Sequence, residues 1–486
     1  MQKYVGIILL FFITIFSCED NSGNINDNDI LSVLYPANGS IIQDSVIISL
    51  EIQDETNVLK VELWMNGDST SIYDYTAPFS LELNTKNYDN GENIFFIRLY
   101  TLGGKIFDSE DINFSIHNFL VFSTLYGSTE KNESGHSVLQ NMDSNFVVLG
   151  NVDNDILLLE ADNEGQVVWS QSYGGSQGLD EAHHIKQTDD GGYVISGSTE
   201  SYGFGGSDIW LIKSGPNGLI EWNTYIGTEH NEKGGQVIQT EDGGYLLIGN
   251  LINEQEQDSD VWLIKTNSQG DSIWTKSYGG DGDEFGSDIV KIENNGYILL
   301  GSTTSYGNGD LDILMIKIDD SGEEQWVRNY GIGSDDIGQA MVLTRDGGYL
   351  VQFLVESYGY GNSATGLMKL NSVGDILWTN AFGGTVNTKS KMFSKINSNE
   401  YISVCSKIDY SSNTSNTWMI KIDDEGEIVW EKIFGKHGKD DGFSAIPTFD
   451  GGFIFTGRSN SSGNDNEHFF DLWLLKTDPN GYSNFN

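Results

Sequence analysis

The stretch "DGGYVISGSTESYGFGGSDIWLIKSGPNGLIEW" (Asp190–Trp222) holds two β-rich runs, a Gly-rich loop between them and a turn before a final Trp. The chain writes this phrase repeatedly: "EDGGYLLIGN" begins at Glu241, "RDGGYLVQFL" at Arg345 and "FDGGFIFTGR" at Phe449. The aromatic residue of each copy falls at Phe146, Tyr193, Tyr245, Tyr297, Tyr349, Tyr401 and Phe453, a spacing of 47 followed by 52 five times. The Trp of the final strand recurs at Trp169, Trp222, Trp274, Trp326, Trp378 and Trp430. Several β segments repeated at a period near 50 specify a propeller or a β-solenoid.

Each repeat reads as four strands: one like "GQVIQT", then "GGYLLIGN", "DVWLIKT" and "DSIWTKSYGG". The third and fourth are joined by tight turns such as "NSQG", "DDSG" and "DDEG", where Gly supplies the positive φ. Four antiparallel strands per repeat make a propeller blade. The last repeat stops before its fourth strand, and "FLVFSTLYGSTE" (Phe119–Glu130) is an orphan fourth strand with Phe122 at the Trp position. The expected fold is therefore all-β, with a seven-bladed propeller over residues 118–486 whose last blade is completed by the first strand, leaving no free sheet edge.

In the repeated phrase, Asp-Gly-Gly turns the chain, Tyr or Phe opens the second strand, and the Trp is an apolar filler between neighbouring sheets. "D-x-x-G-x-x-x-W" (Asp319, Gly322, Trp326; Asp423, Gly426, Trp430) resembles the Trp-docking repeat of quinoprotein-type propellers. No Cys pair, quinone site or metal site accompanies it, so that activity does not carry over. The region is more similar to the "DGGY…DxWLIK…GxxxW" propeller repeats of secreted bacterial proteins.

The N-terminus, "MQKYVGIILLFFITIFSC", has one cation at Lys3, an apolar run from Val5 to Phe16 and then Ser17-Cys18. This is the pattern of an export signal, and the run is too short for a permanent bilayer span. "IFSC" resembles a bacterial lipobox, which implies removal of residues 1–17 and lipidation of Cys18; Phe16 is bulky where a small residue is usual. Residues 18–29 are polar and acidic and read as a flexible tether. The expected location is the cell envelope, the outer membrane of a Gram-negative bacterium, with the leaflet left open.

Residues 30–117 differ from the repeats. About seven short strands, with an Asn66-Gly67 hairpin turn, suggest an Ig-like β-sandwich. The run "VELWMNG…APFSLELNT…NGENIFFIRLYTLGG" resembles bacterial Ig-like domains of cell-surface proteins, which implies a spacer. Cys18 and Cys405 are the only cysteines, so no disulfide framework exists.

With 71 acidic against 26 basic residues, a net −45, the chain repels nucleic acid and anionic lipid. Thirteen residues before each repeat aromatic stand Glu133, Asp180, Glu232, Glu284, Asp336, Thr388 and Asp440. These acids read either as a carboxylate ring for Ca²⁺ or a basic ligand, or as caps on their own loops. One repeat departs from the rest: Thr388 replaces the acid, Ala364 and Asn416 replace the Asp that opens the third strand, and Lys389, Lys391 and Lys395 form a local basic spot. His183 and His184, adjacent on a strand, are expected on opposite faces. Cys405 is expected to be a buried small hydrophobe.

No catalytic motif is present and no cofactor is implied. The expectation is a monomeric, non-catalytic envelope protein whose propeller binds a protein or a glycan, anchored to the membrane by lipid alone. An envelope assembly scaffold and a propeller-based glycan hydrolase or lyase are the alternatives.

Overall fold

The computed structural model describes residues 30–42, 45–88, 91–116, 118–128, 130–253, 258–292, 296–307, 311–331, 335–356, 363–383, 387–436, 438–461 and 469–483. The proposed signal, Cys18 and the tether lie outside these residues. The chain divides into two compact units, one ending at Asn118 and one beginning at Phe119. The described residues contain strands and two short 3-10 turns, Glu55–Asn57 and Thr85–Asn87, and no α-helix.

The first unit is two β-sheets. Leu31–Tyr35, Ser45–Ile52 and Ser80–Asn84 form one sheet; the other orders Ser40–Ile42, Ile112–Ile116, Gly91–Thr101, Val58–Met65 and Asp68–Asp74, with Ile106–Asp108 on the side. The strands flanking Pro36 do not pair with each other: the first joins Ser45–Ile52 and the second runs parallel to Ile112–Ile116, so the turn passes the chain from sheet to sheet. Asn66 and Gly67 both take positive φ (51° and 90°), the geometry a two-residue hairpin needs. Alternate residues Val61, Leu63, Phe95, Ile97 and Leu99 point into one apolar core with Ile48, Leu81 and Phe114.

The second unit is seven four-stranded sheets. The first sheet runs Glu133–Gln140, Phe146–Val152, Asp155–Ala161, Val167–Tyr173, in sequence order, each strand antiparallel to the next. Five further sheets repeat this order. The seventh is composite: Asp440–Pro447, Phe453–Ser459 and Asp471–Thr477 are completed by Phe122–Tyr126, from the start of the unit. The second and third strands of each sheet are nearly all buried, which explains why they read as continuous apolar runs instead of alternating ones.

Each sheet bonds to the next. Gly234 N–H donates to Ser198 Oγ (3.2 Å), Gly286 N–H to Asn250 Oδ1 (2.8 Å) and Gly338 N–H to Ser302 Oγ (3.1 Å). The seventh sheet bonds to the first: Val138 N–H donates to Ser444 Oγ (3.2 Å) and Glu133 N–H to the Phe470 carbonyl (2.7 Å).

The repeated Trp has a specific seat. Trp274 lies over the turn glycine Gly322 of the next sheet, whose φ is +79°, with the ring occupying the side on which a Cβ would project. Trp222 over Gly270, Trp378 over Gly426 and Trp430 over Gly481 repeat this, and Phe122 does the same over Gly165. Four residues after the aromatic, a Tyr donates to the carbonyl of that glycine: Tyr126 to Gly165 (2.8 Å), Tyr173 to Gly218 (2.5 Å), Tyr278 to Gly322 (2.7 Å) and Tyr330 to Gly374 (2.6 Å). In these four sheets the Tyr adds a bond to the contact with the next sheet's turn; Ile226, Phe382 and Phe434 stand at its position in the other three.

The Asp of "DGGY" also does more than turn the chain. Asp190, Asp242 and Asp450 accept from a Thr two residues before and a Gly N–H two residues after. They also pair with the buried Lys of "WLIK" in their own sheet: Lys213 at 3.0 Å, Lys265 at 2.8 Å and Lys476 at 2.6 Å. A buried ammonium needs such a partner, which is why "DGGY" and "WLIK" recur together.

Replacing Tyr278 by Phe removes a buried hydroxyl and leaves the Gly322 carbonyl without that donor. Chemical denaturation should show a loss of about 1 kcal/mol; an unchanged midpoint would contradict the role given to the Tyr–Gly bond.

Candidate functional site

The first strands of the seven sheets start at equivalent points: Glu133–Gln140, Asp180–Gln187, Lys233–Gln239, Glu284–Lys291, Asp336–Leu343, Asn387–Lys395 and Asp440–Pro447. All seven contribute residues to one cavity of about 1040 Å³. Six of these strands share the same fault in their second-strand pairing, a bulge such as those between Ala182 and His184 or Gly286 and Asp288; in Lys233–Gln239 the shift lies between Gly234 and Val237. A bulge frees a backbone N–H from the ladder. The preceding sheet accepts it with a side chain at the equivalent position: Val237 N–H donates to His184 Nδ1 (3.3 Å), Ile289 to Gln236 Oε1 (2.8 Å), Met341 to Asp288 Oδ2 (2.7 Å) and Val138 to Ser444 Oγ (3.2 Å). The cavity wall is thus a belt of polar side chains fixed by the next sheet.

The bulge also overturns the expectation for the two histidines. His183 and His184 both line this cavity, because the two-residue alternation fails at the bulge. They hold no common partner: His183 Nε2 pairs with Ser198 Oγ (2.8 Å) and His184 with Val237.

The six candidate ring carboxylates occupy equivalent places and do not meet in the cavity. Glu133, Asp180, Glu232, Glu284, Asp336 and Asp440 are all buried, and none lines the cavity. Asp180 accepts from Gly175 N–H (3.0 Å) and Ser201 Oγ (2.9 Å) and from Thr199. Glu232 accepts from Thr228 N–H (3.0 Å) and its hydroxyl (2.5 Å). Glu284 accepts from Gly280 N–H (2.7 Å), and Asp440 from Lys436 N–H (2.8 Å) and Ser461 Oγ (2.7 Å). These four close the loops that enter their own strands; residues 332–334, before Asp336, lie outside the described residues.

An Asp on the third strand of the preceding sheet accompanies three of these acids, Asp155 with Asp180, Asp208 with Glu232 and Asp260 with Glu284, a pairing the local sequence does not announce. A Cβ on Gly227 would come within 2.0 Å of Asp208 Oδ1 and 2.6 Å of Glu232 Oε2; on Gly279, within 1.7 Å of Asp260 Oδ1 and 2.6 Å of Glu284 Oε2. Two carboxylates flank one glycine at these three junctions, while at Gly435 an amide, Asn416, stands with Asp440; the glycine is small because a side-chain oxygen sits where its own side chain would be. Glu133 is raised above the usual carboxylate range by burial, with Asp471 and Asp153 adding to it. The signal was present: Ala364 and Thr388, which lack both acids, belong to the same junction. Among the described residues no group of three or more His, Cys, Asp or Glu is placed to hold a metal ion.

Of the basic spot, the side chains of Lys389 and Lys391 lie outside the described residues. Lys395 is exposed, lines the cavity and donates to the Leu343 carbonyl (3.0 Å). Cys405 is fully buried beside Thr365 and Ser403, and burial raises its thiol pKa.

The sixth sheet breaks the repeat at one mouth of the cavity. Its second and third strands, Glu400–Asp409 and Thr414–Asp423, are ten residues each, against nine in the third sheet, eight in the fifth and seven in the first, second, fourth and seventh. The hairpin they form stands beside the start of the seventh sheet, where Ser415 bridges to Lys439. Tyr410, Asn413, Asp441, Phe443 and Arg458 line the cavity here.

Residues 31–94 match the family model described as a bacterial Ig domain. No curated protein matches the chain. Among solved structures, the fibronectin(III)-like modules of Clostridium thermocellum CbhA align at 19% identity over 18% of this chain and 94% of that one, with a TM-score of 0.17. The extracellular domain of the putative hybrid two component system BT4673 from B. thetaiotaomicron aligns at 13% identity over 80% of this chain and 46% of that one, with a TM-score of 0.45. Virginiamycin B lyase from Staphylococcus aureus aligns at 10% identity over 74% of this chain and 99% of that one, with a TM-score of 0.43. The chain is an all-β protein with a bacterial Ig domain, and among the described residues no helix is long and apolar enough to cross a membrane.

The cavity wall gives a pH signature. Burial pushes His183 and His184 down from 6.5 to about 4, with Lys233 and Lys186 respectively adding, and pushes Asp288 up from 3.8 to about 6. The lowered imidazoles give stability that is whole above pH 6.5 and is lost as pH falls toward 4. The raised carboxyl does the reverse: its contribution is whole below pH 3.8 and is lost as pH rises through 6. Asp288→Asn removes the opposing contribution. Its denaturation midpoint should therefore fall more steeply from pH 6 to pH 4 than that of the unaltered protein, and parallel curves would contradict this.

Proposed function

We propose that the seven sheets are the blades of a closed seven-bladed propeller, and that the protein is an exported, non-catalytic binding module of the cell envelope that takes its ligand at the mouth of the central cavity. The observation that carries this is the single cavity walled by the first strand of all seven sheets, with one mouth altered by the long hairpin of the sixth. Symmetric features serve every blade; among the described strands the sixth sheet's hairpin, paired over ten residues, departs furthest from them, and binding residues concentrate on loops held by a rigid scaffold. The bonds from the seventh sheet to the first support closure.

The bacterial Ig domain at residues 31–94 and the signal-like N-terminus support export. Acylation of Cys18 would anchor the protein by lipid, with the Ig-like unit as a spacer. The outer membrane of a Gram-negative cell remains the proposed address. A non-catalytic role is favoured because His183, His184 and Asp288 are each engaged by the wall itself.

The test is a screen of the full chain against glycan and peptide libraries, with product analysis of every binder. Binding without turnover, weakened by substitution in the 409–414 hairpin, is expected. Turnover of a bound polymer would replace this reading with the enzymatic one, and capture of envelope proteins alone, indifferent to the hairpin, would favour an assembly scaffold.

A further inference from the structure

We propose that the buried acid pair Asp208 and Glu232, at the junction of the second and third sheets, binds a Ca²⁺ ion. The site is separate from the cavity and independent of the binding reading above.

Asp208 opens the third strand of the second sheet, and Glu232 immediately precedes the first strand of the third. Both residues are 0% exposed. Their oxygens converge: the point where a Cβ on Gly227 would stand lies 2.0 Å from Asp208 Oδ1 and 2.6 Å from Glu232 Oε2. Loop capping accounts for most of the acceptors. Thr228 donates its N–H (3.0 Å) and its hydroxyl (2.5 Å) to Glu232, and Phe204 N–H donates to Asp208 Oδ2 (2.9 Å). It leaves out Asp208 Oδ1, which is buried and has no hydrogen-bond partner. The lysines of the two strands are engaged elsewhere: Lys213 with Asp190 (3.0 Å) and Glu221 (3.2 Å), and Lys233 with Glu181 (3.7 Å). Two buried carboxylates therefore face each other with no basic side chain of either strand between them. A charge buried in this way is bound to a metal or neutralised.

The repeat adds a second argument. Like charges this close repel, yet the two acids are kept together. Asp471 stands beside Gly127 as Asp208 stands beside Gly227, with Glu133 as its companion acid, and Glu133 Oε2 is also buried without a partner. At the junction of the fifth and sixth sheets both acids are missing at once, as Ala364 and Thr388. Acids that are present as a pair and absent as a pair act on one thing between them, and that thing is positive.

Carboxylates without nitrogen or sulfur form a donor set that suits hard divalent ions rather than Zn²⁺ or Cu²⁺. Mg²⁺ keeps several waters in a strict octahedron, and residues with no exposed surface leave little room for water. Ca²⁺ accepts carboxylate, carbonyl and hydroxyl oxygens in a flexible shell. Two carboxylates supply the charge, and neutral oxygens of the 227–232 loop complete the shell.

The test uses the full chain, stripped with chelator and desalted. Metal content is measured after equilibration with Ca²⁺, and thermal midpoints are compared in EGTA, in about 5 mM CaCl₂ and in NaCl of equal ionic strength. The expected result is retained Ca²⁺ and a midpoint several degrees higher in CaCl₂ than in EGTA or NaCl. The near-isosteric double variant Asp208→Asn, Glu232→Gln should hold about one Ca²⁺ fewer per chain. No retained Ca²⁺ and equal midpoints in the unaltered chain would overturn the proposal whether or not the variant folds. An equal rise in NaCl would overturn the divalent site. Unchanged Ca²⁺ content in a folded double variant would overturn the assignment to this pair. A midpoint indifferent to Ca²⁺ that rises from pH 7 to pH 5 would replace the ion with a proton shared by the two carboxylates.

Discussion

A four-stranded sheet with apolar residues on both faces must be covered on both sides, and nothing else in the second unit depends on less than this. Every sheet is covered by its two neighbours, so the contact between sheets is the element that the sequence repeats. It has three layers. At the far end of the sheets, an aromatic ring seats on the turn glycine of the next sheet, and in four of them a Tyr hydroxyl caps the turn glycine's carbonyl. In the middle, the second and third strands interleave their apolar side chains. At the cavity, a polar side chain takes the N–H that a bulge releases in the next sheet. The two outer layers are directional and fix register, while the middle supplies the area removed from water.

This division explains which side chains are available for binding. The repeated acids, Lys, Trp and Tyr are consumed in the contacts, and even the cavity wall is mostly occupied by its own hydrogen bonds. What remains is what departs from the repeat. The junction that lacks both acids, Ala364 with Thr388, is followed by the sheet with the long hairpin, so the largest departures in sequence and in structure fall in the same part of the unit.

The strands of the second unit were legible because the spacing of 52 recurs five times and each unit carries turn glycines at fixed offsets. The orphan strand at Phe122 was legible for the same reason, and Phe122 does occupy the seat over Gly165 that Trp takes elsewhere. The bulges were not legible. A bulge changes no composition, only which N–H groups meet across a ladder, and so His183 and His184 were assigned to opposite faces of a strand that is not regular there. The pairing of Asp190 with Lys213, and of Asp208 with Glu232, was also hidden: residues more than twenty apart meet only once the sheet order is known. The burial of the ring acids follows from their loops, whose N–H groups point inward, and no local pattern in "GTEHNE" or "GGDGDE" announces it.

Closure of the ring is the claim on which the cavity and its mouth rest. Hydrogen exchange of the backbone amides of Asp471–Thr477 tests it most directly, because this strand has a partner on both sides only if Phe122–Tyr126 completes the seventh sheet. The account predicts that these amides, and those of Phe122–Tyr126, are protected as strongly as the equivalent third strand Asp312–Ile318 in the fourth sheet. Fast exchange along Asp471–Thr477, with protection intact in the fourth sheet, would contradict it.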